Sequence, residues 1–214
     1  MPLAPVDIYN LALSNLGISQ VIADPNERTK YAIVCNRWYE TCRDIVLADH
    51  PWRFATKAVS LAVVDETFPG WDYVYAYPDD CLAMRTITDD AGGRFIQNNF
   101  WLDLTSSSLT AVRMPFTRAL KSDGNTQVIL TDLPNAWGIY TARVTTPAVW
   151  SPQFLEALAW KLASVAGPSL QVEADMIQTA INAYLAFKNN AAALDMNEER
   201  PDREQESPSI SIRN

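Results

Sequence analysis

The sequence predicts an α+β fold: an antiparallel helical bundle formed by both chain ends, an inserted mostly-β subdomain and an extended C-terminal arm. Three observations carry that expectation. Apolar residues recur every three to four positions near both ends, the period of a one-sided helix. From Trp52 the pattern changes to short alternating runs broken by turn residues. Beyond Asn197 it becomes polar and proline-containing, NEERPDREQESPSISIRN, which cannot bury a core of its own. The units expected are helical segments at 1–52 and 147–196, a β subdomain at 53–146, and a tail at 197–214.

Each element follows from a local signal. A first helix is expected over 6–16, with Ile8, Leu11, Leu13 and Leu16 apolar and Gly17 as its stop. Asp24-Pro25-Asn26-Glu27 then reads as a cap, a first-turn proline and a capping glutamate, so a long helix is expected over 26–49. Its buried stripe is Tyr31, Val34, Cys35, Trp38, Cys42, Ile45 and Val46. Pro51 ends it, because the residue before a proline avoids helical angles.

Strands are expected at 58–64, 71–77, 83–88, 94–97, 109–114, 126–131 and 138–145. Alternation places Trp71, Tyr73, Tyr75 and Tyr77 on one face. The loops 89–93 and 122–125 carry Asp, Gly and Asn, and the second predicts a hairpin. Helix returns with the Ser151-Pro152 start, through Phe154, Leu155, Leu158, Ala159, Leu162 and Val165, until Gly167-Pro168 breaks it. A last helix is expected over 169–195, with Val172, Met176, Ile177, Ala180, Ile181, Tyr184, Leu185 and Phe187 inside. Neither helical end has another face to bury, so the two are expected to pack together. No internal repeat is visible.

Composition narrows the function. The chain of 214 residues is 48% hydrophobic and 20% charged, within the ordinary globular range. Its net charge of -8 has the wrong sign for gripping phosphates, and Lys and Arg are scattered without a run of three. No apolar run approaches the ~20 residues that cross a bilayer, and the start lacks a basic, cleavable leader. A soluble cytosolic product is therefore expected. Cys35 and Cys42 lie about two helical turns apart, roughly 10 Å, beyond the ~7 Å Cα limit for a disulfide. With Cys81 they are expected to be reduced, core-leaning thiols.

Chemistry is sparse. His50 is the only histidine, so any triad or histidine metal site would depend on it alone. Its place between Asp49 and Pro51, at a helix C-terminus, suits a structural role. No phosphate-loop, dinucleotide, nucleophile-elbow, zinc-helix or paired CxxC motif occurs, and Gly92-Gly93 is only a turn signal. The acidic pairs Asp65-Glu66, Asp79-Asp80 and Asp89-Asp90 fall in expected turns, where such side chains bond the local backbone. No catalytic residue, cofactor or metal is expected, and no enzyme. The aromatic strand face offers the alternative function, a tail-associated β module that binds carbohydrate, although such a stripe is more often a sheet core.

Two stretches point further. Asp7-Ile8-Tyr9-Asn10-Leu11-Ala12-Leu13-Ser14-Asn15-Leu16-Gly17 is followed by a long helix ending in Arg43-Asp44-Ile45-Val46-Leu47-Ala48-Asp49-His50-Pro51-Trp52-Arg53-Phe54-Ala55. Together they resemble the tail tubular protein A family, the head-to-tail adaptors of short-tailed phages. The segment 71–78 and the helix after Pro152 fit that pattern too. The likeness covers about the first 85 residues, and the C-terminal helices in pattern only. It implies a structural virion protein without catalysis, made in the host cytoplasm and placed in the neck of the particle. Such proteins form a dodecameric ring between the portal protein and the tail nozzle, with tail fibres as a further contact. Their lumen passes the genome during ejection without specific DNA binding, and a negative wall that repels phosphates suits that task.

The tail adds candidate partner-binding residues. Ile210 and Ile212 alternate with Ser209 and Ser211, a period of two suited to adding a strand to a neighbour's sheet edge. Ile210, Ile212 and Arg213 are the expected anchors of an arm reaching onto another subunit or the portal.

Overall fold

A computed structural model describes residues 4–88 and 115–197. The expected strands at 94–97 and 109–114, the loop 89–93 and the partner-binding residues Ile210, Ile212 and Arg213 lie outside the described residues. What is described is α+β: four α-helices and two antiparallel three-stranded sheets. The helices are α1 (Pro5–Asn15), α2 (Lys30–Asp49), α3 (Pro152–Leu170) and α4 (Ala174–Asn197). The strands are β1 (Thr56–Ser60), β2 (Tyr73–Ala76), β3 (Cys81–Thr88), β4 (Phe116–Leu120), β5 (Gln127–Thr131) and β6 (Trp137–Ala142). Among the described residues no helix is long and apolar enough to cross a membrane.

Residues from all four helices share one apolar core. Ile8, Leu13, Val46, Leu47, Phe154, Leu158, Leu162 and Ala180 are among its buried members. Helix α3 packs against α1, α2 and α4. Gly17, with φ +71°, ends α1 in the left-handed conformation that glycine adopts most easily. The linker after it is clamped by Asn10, whose side chain donates to Ile22 O at 2.9 Å and accepts from Ile22 N at 2.8 Å.

Helix α2 starts later than its sequence suggests. Asp24 does not cap a helix; it closes a turn, accepting from Asn26 N at 2.8 Å. Thr29 is the cap, and its hydroxyl accepts from Ala32 N at 3.2 Å. Both sites offer an oxygen to orphan amides, and only Thr29 adjoins the residues that reach the core. The buried face is also rotated from the expected stripe. Tyr39 and Leu47 are buried, Trp38 is half-buried and Ile45 is exposed.

The Ser151 hydroxyl caps α3, accepting from Phe154 N at 3.3 Å. Gly167-Pro168 does not break this helix, which runs to Leu170 and closes on Gln171 at φ +62°. Pro168 sits in the last turn, where its missing N–H costs a single helical bond. Gly167 serves packing instead: a Cβ there would meet Ile177 Cγ1 at 2.9 Å. Consequently α4 begins at Ala174 rather than 169, and Val172 lies before it. Ile181, Leu185 and Phe187, expected inside, are exposed, while Ala180 and Tyr184 are buried.

The sheets have the orders β1-β6-β3 and β2-β5-β4. Their central strands, β5 and β6, are buried on both faces along nearly their whole length. Residues Val59 and Ile87 of one sheet and Tyr75 and Ile129 of the other join in a cluster between the sheets. The far face of the second sheet, with Val74, Val128 and Leu130, is covered by Val64, Phe68 and Trp71. Trp71 therefore leaves the expected four-aromatic face, and Tyr73, Tyr75 and Tyr77 remain on it. Strand β4 was not expected at 116–120; Arg118 and the preceding Pro115 dilute its alternation, and it is an edge strand. The hairpin across 122–125 does form, pairing Leu120 with Gln127. Asp123 holds it by accepting from Asn125 N at 2.8 Å and Thr126 N at 2.9 Å, and Gly124 supplies φ +71°.

Candidate functional site

Charged and hydroxyl side chains gather where the C-terminal half of α2 meets the first sheet. Arg85 on β3 reaches across from the sheet. Its Nη2 donates to Ala48 O in the last turn of α2 at 3.0 Å, and its Nε donates to Thr141 Oγ1 on β6 at 3.0 Å. A terminal helix carbonyl thereby gains a cationic donor, the charge that the helix C-terminus favours. Burial pulls the Arg85 guanidinium below its ordinary pKa.

Two carboxylates extend this seam. Asp44 on α2 takes Arg43 Nη2 on one oxygen and Arg143 Nε on the other, each at 2.8 Å. Asp80, just before β3, accepts from the Tyr140 hydroxyl at 2.7 Å and pairs with Lys57 Nζ at 2.7 Å. Burial works to raise the Asp80 carboxyl, yet the bonds from Lys57 and Tyr140 outweigh it and hold it below its ordinary value. Burial first, and then the bond to Asp80, pushes the Tyr140 phenol upward. A third group lies between helices: Asp49 accepts a short bond from the Tyr184 hydroxyl and faces Lys188 Nζ at 3.5 Å.

This arrangement is suited to holding elements together. A phenol raised by burial is a poor base, and the carboxylates are engaged by hydroxyl or cationic donors. His50 is buried with its ring edge-on to Trp52, centroids 4.9 Å apart. Cys35 and Cys42 are buried, and burial raises their thiols to about 12 and about 11. Cys81 is half-buried on β3. Glu66 Oε1 accepts from Ser122 N at 2.8 Å, so the Asp65-Glu66 turn tethers the β4–β5 hairpin. Among the described residues no group of three or more His, Cys, Asp or Glu is placed to hold a metal ion.

The aromatic strand face packs into the protein. Tyr75 is fully buried and its hydroxyl donates to Leu133 O at 2.8 Å; Tyr73 stacks on it, centroids 6.3 Å apart. Asp89, Asp90, Gly92, Gly93, Ile210, Ile212 and Arg213 lie outside the described residues. Sequence reasoning passed over Arg85, Lys57 and Tyr140. Their partners lie 23 to 60 residues away, and no local pattern announces such pairs.

No protein-family model matches the chain, and no curated protein matches it.

Proposed function

We propose that this chain is a structural head-to-tail adaptor subunit of a short-tailed phage, similar to the tail tubular protein A family. In this reading it forms a ring, a dodecamer by the family's pattern, between the portal and the tail nozzle and lines the DNA ejection channel. One observation carries it: the two stretches with the family's residues meet in one core. Ile8, Tyr9, Ala12 and Leu13 of the first pack in the cluster that holds Val46, Leu47, Trp52 and Ala55 of the second. Residues that define a family through packing should lie at such a junction. The acidic balance of -8 suits a wall along which DNA slides.

The finer architecture belongs to the same proposal. Both chain ends supply an antiparallel helical bundle, residues 53–146 form an inserted mostly-β subdomain, and 197–214 form an extended arm. Ile210, Ile212 and Arg213 anchor that arm on a neighbouring subunit or on the portal.

Mass measurement of the full chain, alone and with portal protein, tests the reading. The expected result is a ring or a portal complex. A monomer that ignores portals would overturn it. Deleting 198–214 tests the arm: assembly should fail while the subunit stays folded, and undiminished assembly would remove the arm from the proposal.

A further inference from the structure

The second sheet ends in an open edge at β4. Two backbone bonds fix which way each strand points its polar groups. Tyr77 N donates to Gln127 O at 3.4 Å, so alternate residues of β5 from Gln127 onward bond toward β2. Lys121 N donates to Thr126 O at 2.8 Å, so the residues between them bond toward β4. Thr117 and Ala119 therefore spend their N–H and C=O on Leu130 and Val128. Those of Phe116, Arg118 and Leu120 point outward, and no backbone bond among the described residues takes them up. The other edges are covered or broken. Beyond β2, Val64 N donates to Val74 O and Ala76 N to Ala62 O, each at 2.8 Å. Strand β3 has two register shifts and reaches α2 through Arg85. The edge of β1 is polar, with Lys57 and Ser60 exposed. Strand β4 instead pairs without a bulge, contains no proline and leaves Leu120 55% exposed. Proteins usually blunt such an edge, because it is a template for one more strand.

We propose that the β4 edge receives residues 209–213 of a neighbouring copy as an added strand. The neighbouring copy is taken from the adaptor reading, and the new element is the surface on which its arm lands. The chain beyond α4 selects the occupant. Helix α4 runs back along α3, from Ile177 beside Gly167 to Phe187 stacked on Trp160, and Lys188 faces Asp49 at the end of α2. The tail thus leaves the bundle at the end where α2 passes into the sheets. Residues 198–208 span up to about 36 Å when extended, enough to cross to another subunit. After them SISIR, 209–213, alternates and lacks proline, and its five residues match the five of β4. Pro208 marks where pairing stops, because it has no N–H to give. Ile210 and Ile212 share one face of such a strand. Both faces of β4 offer them apolar neighbours, Phe116 and Leu120 on one and Ala119 on the other. The single charge on β4 is Arg118, so the approach through Glu204 and Glu206 meets no like charge on the strand.

Hydrogen exchange of the full chain, read by mass spectrometry over a dilution series from assembly to monomer, tests the contact. In the assembled wild type, peptides covering 116–120 and 209–213 should exchange about tenfold or more slowly than in the monomer. Leu120→Pro removes an outward N–H and no ladder bond, so it should free 209–213 while 127–131 stays protected. The double variant Ile210→Pro/Ser211→Pro alters the arm alone and should free 116–120, which guards against misfolding of the first variant. A tail that exchanges freely in the assembled wild type overturns the proposal, as does protection that survives both variants. Protection already present in the monomer overturns it too, because the tail then closes on its own sheet. So does Leu120→Pro if it frees 94–114 and leaves 209–213 unchanged, since the segment before β4 then holds the edge. An assembly that binds portal with a free tail keeps the adaptor reading and removes this contact. A paired tail in an assembly blind to portal keeps the contact and removes the adaptor reading. A chain that stays monomeric, alone and with portal, overturns both.

Discussion

Trp52 meets three other rings, His50 at 4.9 Å, Phe54 at 5.9 Å and Phe154 at 5.3 Å, and Trp150 lies one ring further on, against Phe154 at 5.0 Å. Its indole N–H donates to Val46 O at 2.8 Å, fixing the chain as it leaves α2. Trp52→Ala should cost ~3–5 kcal/mol in urea unfolding, as large aromatic truncations in cores do. Trp38→Ala should cost clearly less, because Trp38 is only half-buried; equal losses would place the centre of the core elsewhere. Periodicity located the buried side of α2 but not its centre line. Cys35, Cys42 and Val46 are buried as expected, whereas Ile45 is exposed and Tyr39 is buried. Tyr39 and Ile45 stand about 120° apart around the helix, and either is a plausible core residue until the facing helix is known. The thiols give a second test. Burial raises Cys35 to about 12 and Cys42 to about 11 from an ordinary 9.0, so both are neutral thiols in the fold. Their contribution to stability is complete below pH 9 and is lost as pH rises through about 11 to 12. Thiol labelling near pH 8 should therefore modify Cys81 first and reach Cys35 and Cys42 only on unfolding. Rapid native labelling of all three would contradict their burial.

Among elements, the α3–α4 contact depends on the absence of a side chain. At Gly167 an added Cβ would come within 2.9 Å of Ile177 Cγ1, closer than real contacts allow. Gly167→Ala gains about 1 kcal/mol of helix propensity but overpacks the contact by ~1–3 kcal/mol, so it should be neutral to destabilising. Removing the clash with Ile177→Ala should make the double variant less unstable than the two single losses predict, by a coupling of about 0.5–3 kcal/mol. Strict additivity would mean that the helices slide apart freely. Gly167-Pro168 reads in sequence as a stop, because both residues disfavour helix interiors. The structure uses one for close approach and the other within a last turn that tolerates it. The start of α2 was misplaced for a similar reason, since Asp24-Pro25 carries the residues of a cap yet Thr29 is the one that caps the helix. Thr29→Ala should cost about 1 kcal/mol and lower helicity, with Asp24→Ala affecting the turn instead. By contrast, the Ser151 start, the Gly17 stop and the hairpin at 122–125 were legible, because each is decided by residues within four positions. Strand β4 was not, since an edge strand needs less apolar alternation than a central one.

At the scale of the whole molecule, the question is how firmly the helices hold the first sheet. Leu82 on β3 and Val144, just after β6, pack against the helical core, so some apolar surface is shared. Two polar contacts cross the junction, Arg85 on Ala48 O and Arg143 on Asp44, and beside them Asp80 ties Lys57 to Tyr140 within the sheet. None of this was visible in sequence, because each pair joins residues brought together only by the fold. Exposed ion pairs contribute little, and Arg143 and Lys57 are about half exposed. Arg85 differs because it is half-buried and serves two acceptors at once. Arg85→Met keeps the stem and removes the donors, leaving Ala48 O and Thr141 Oγ1 without them. Loss of such partners costs ~1–3 kcal/mol. If the seam couples helices to sheet, wild-type unfolding followed by far-UV and near-UV dichroism should show one transition, and Arg85→Met should lower it or split it in two. The Asp80 bonds add a pH dependence of known sign. A carboxyl held below its ordinary value stabilises the fold above that value, and the gain is lost as pH falls through the folded pKa. Asp80→Asn should therefore flatten the acid limb of the stability curve while leaving Arg85→Met losses intact, since the two sites share no partner. Wild-type transitions that already separate, with Arg85→Met leaving both midpoints unchanged, would show that the sheet and the helices fold without this seam.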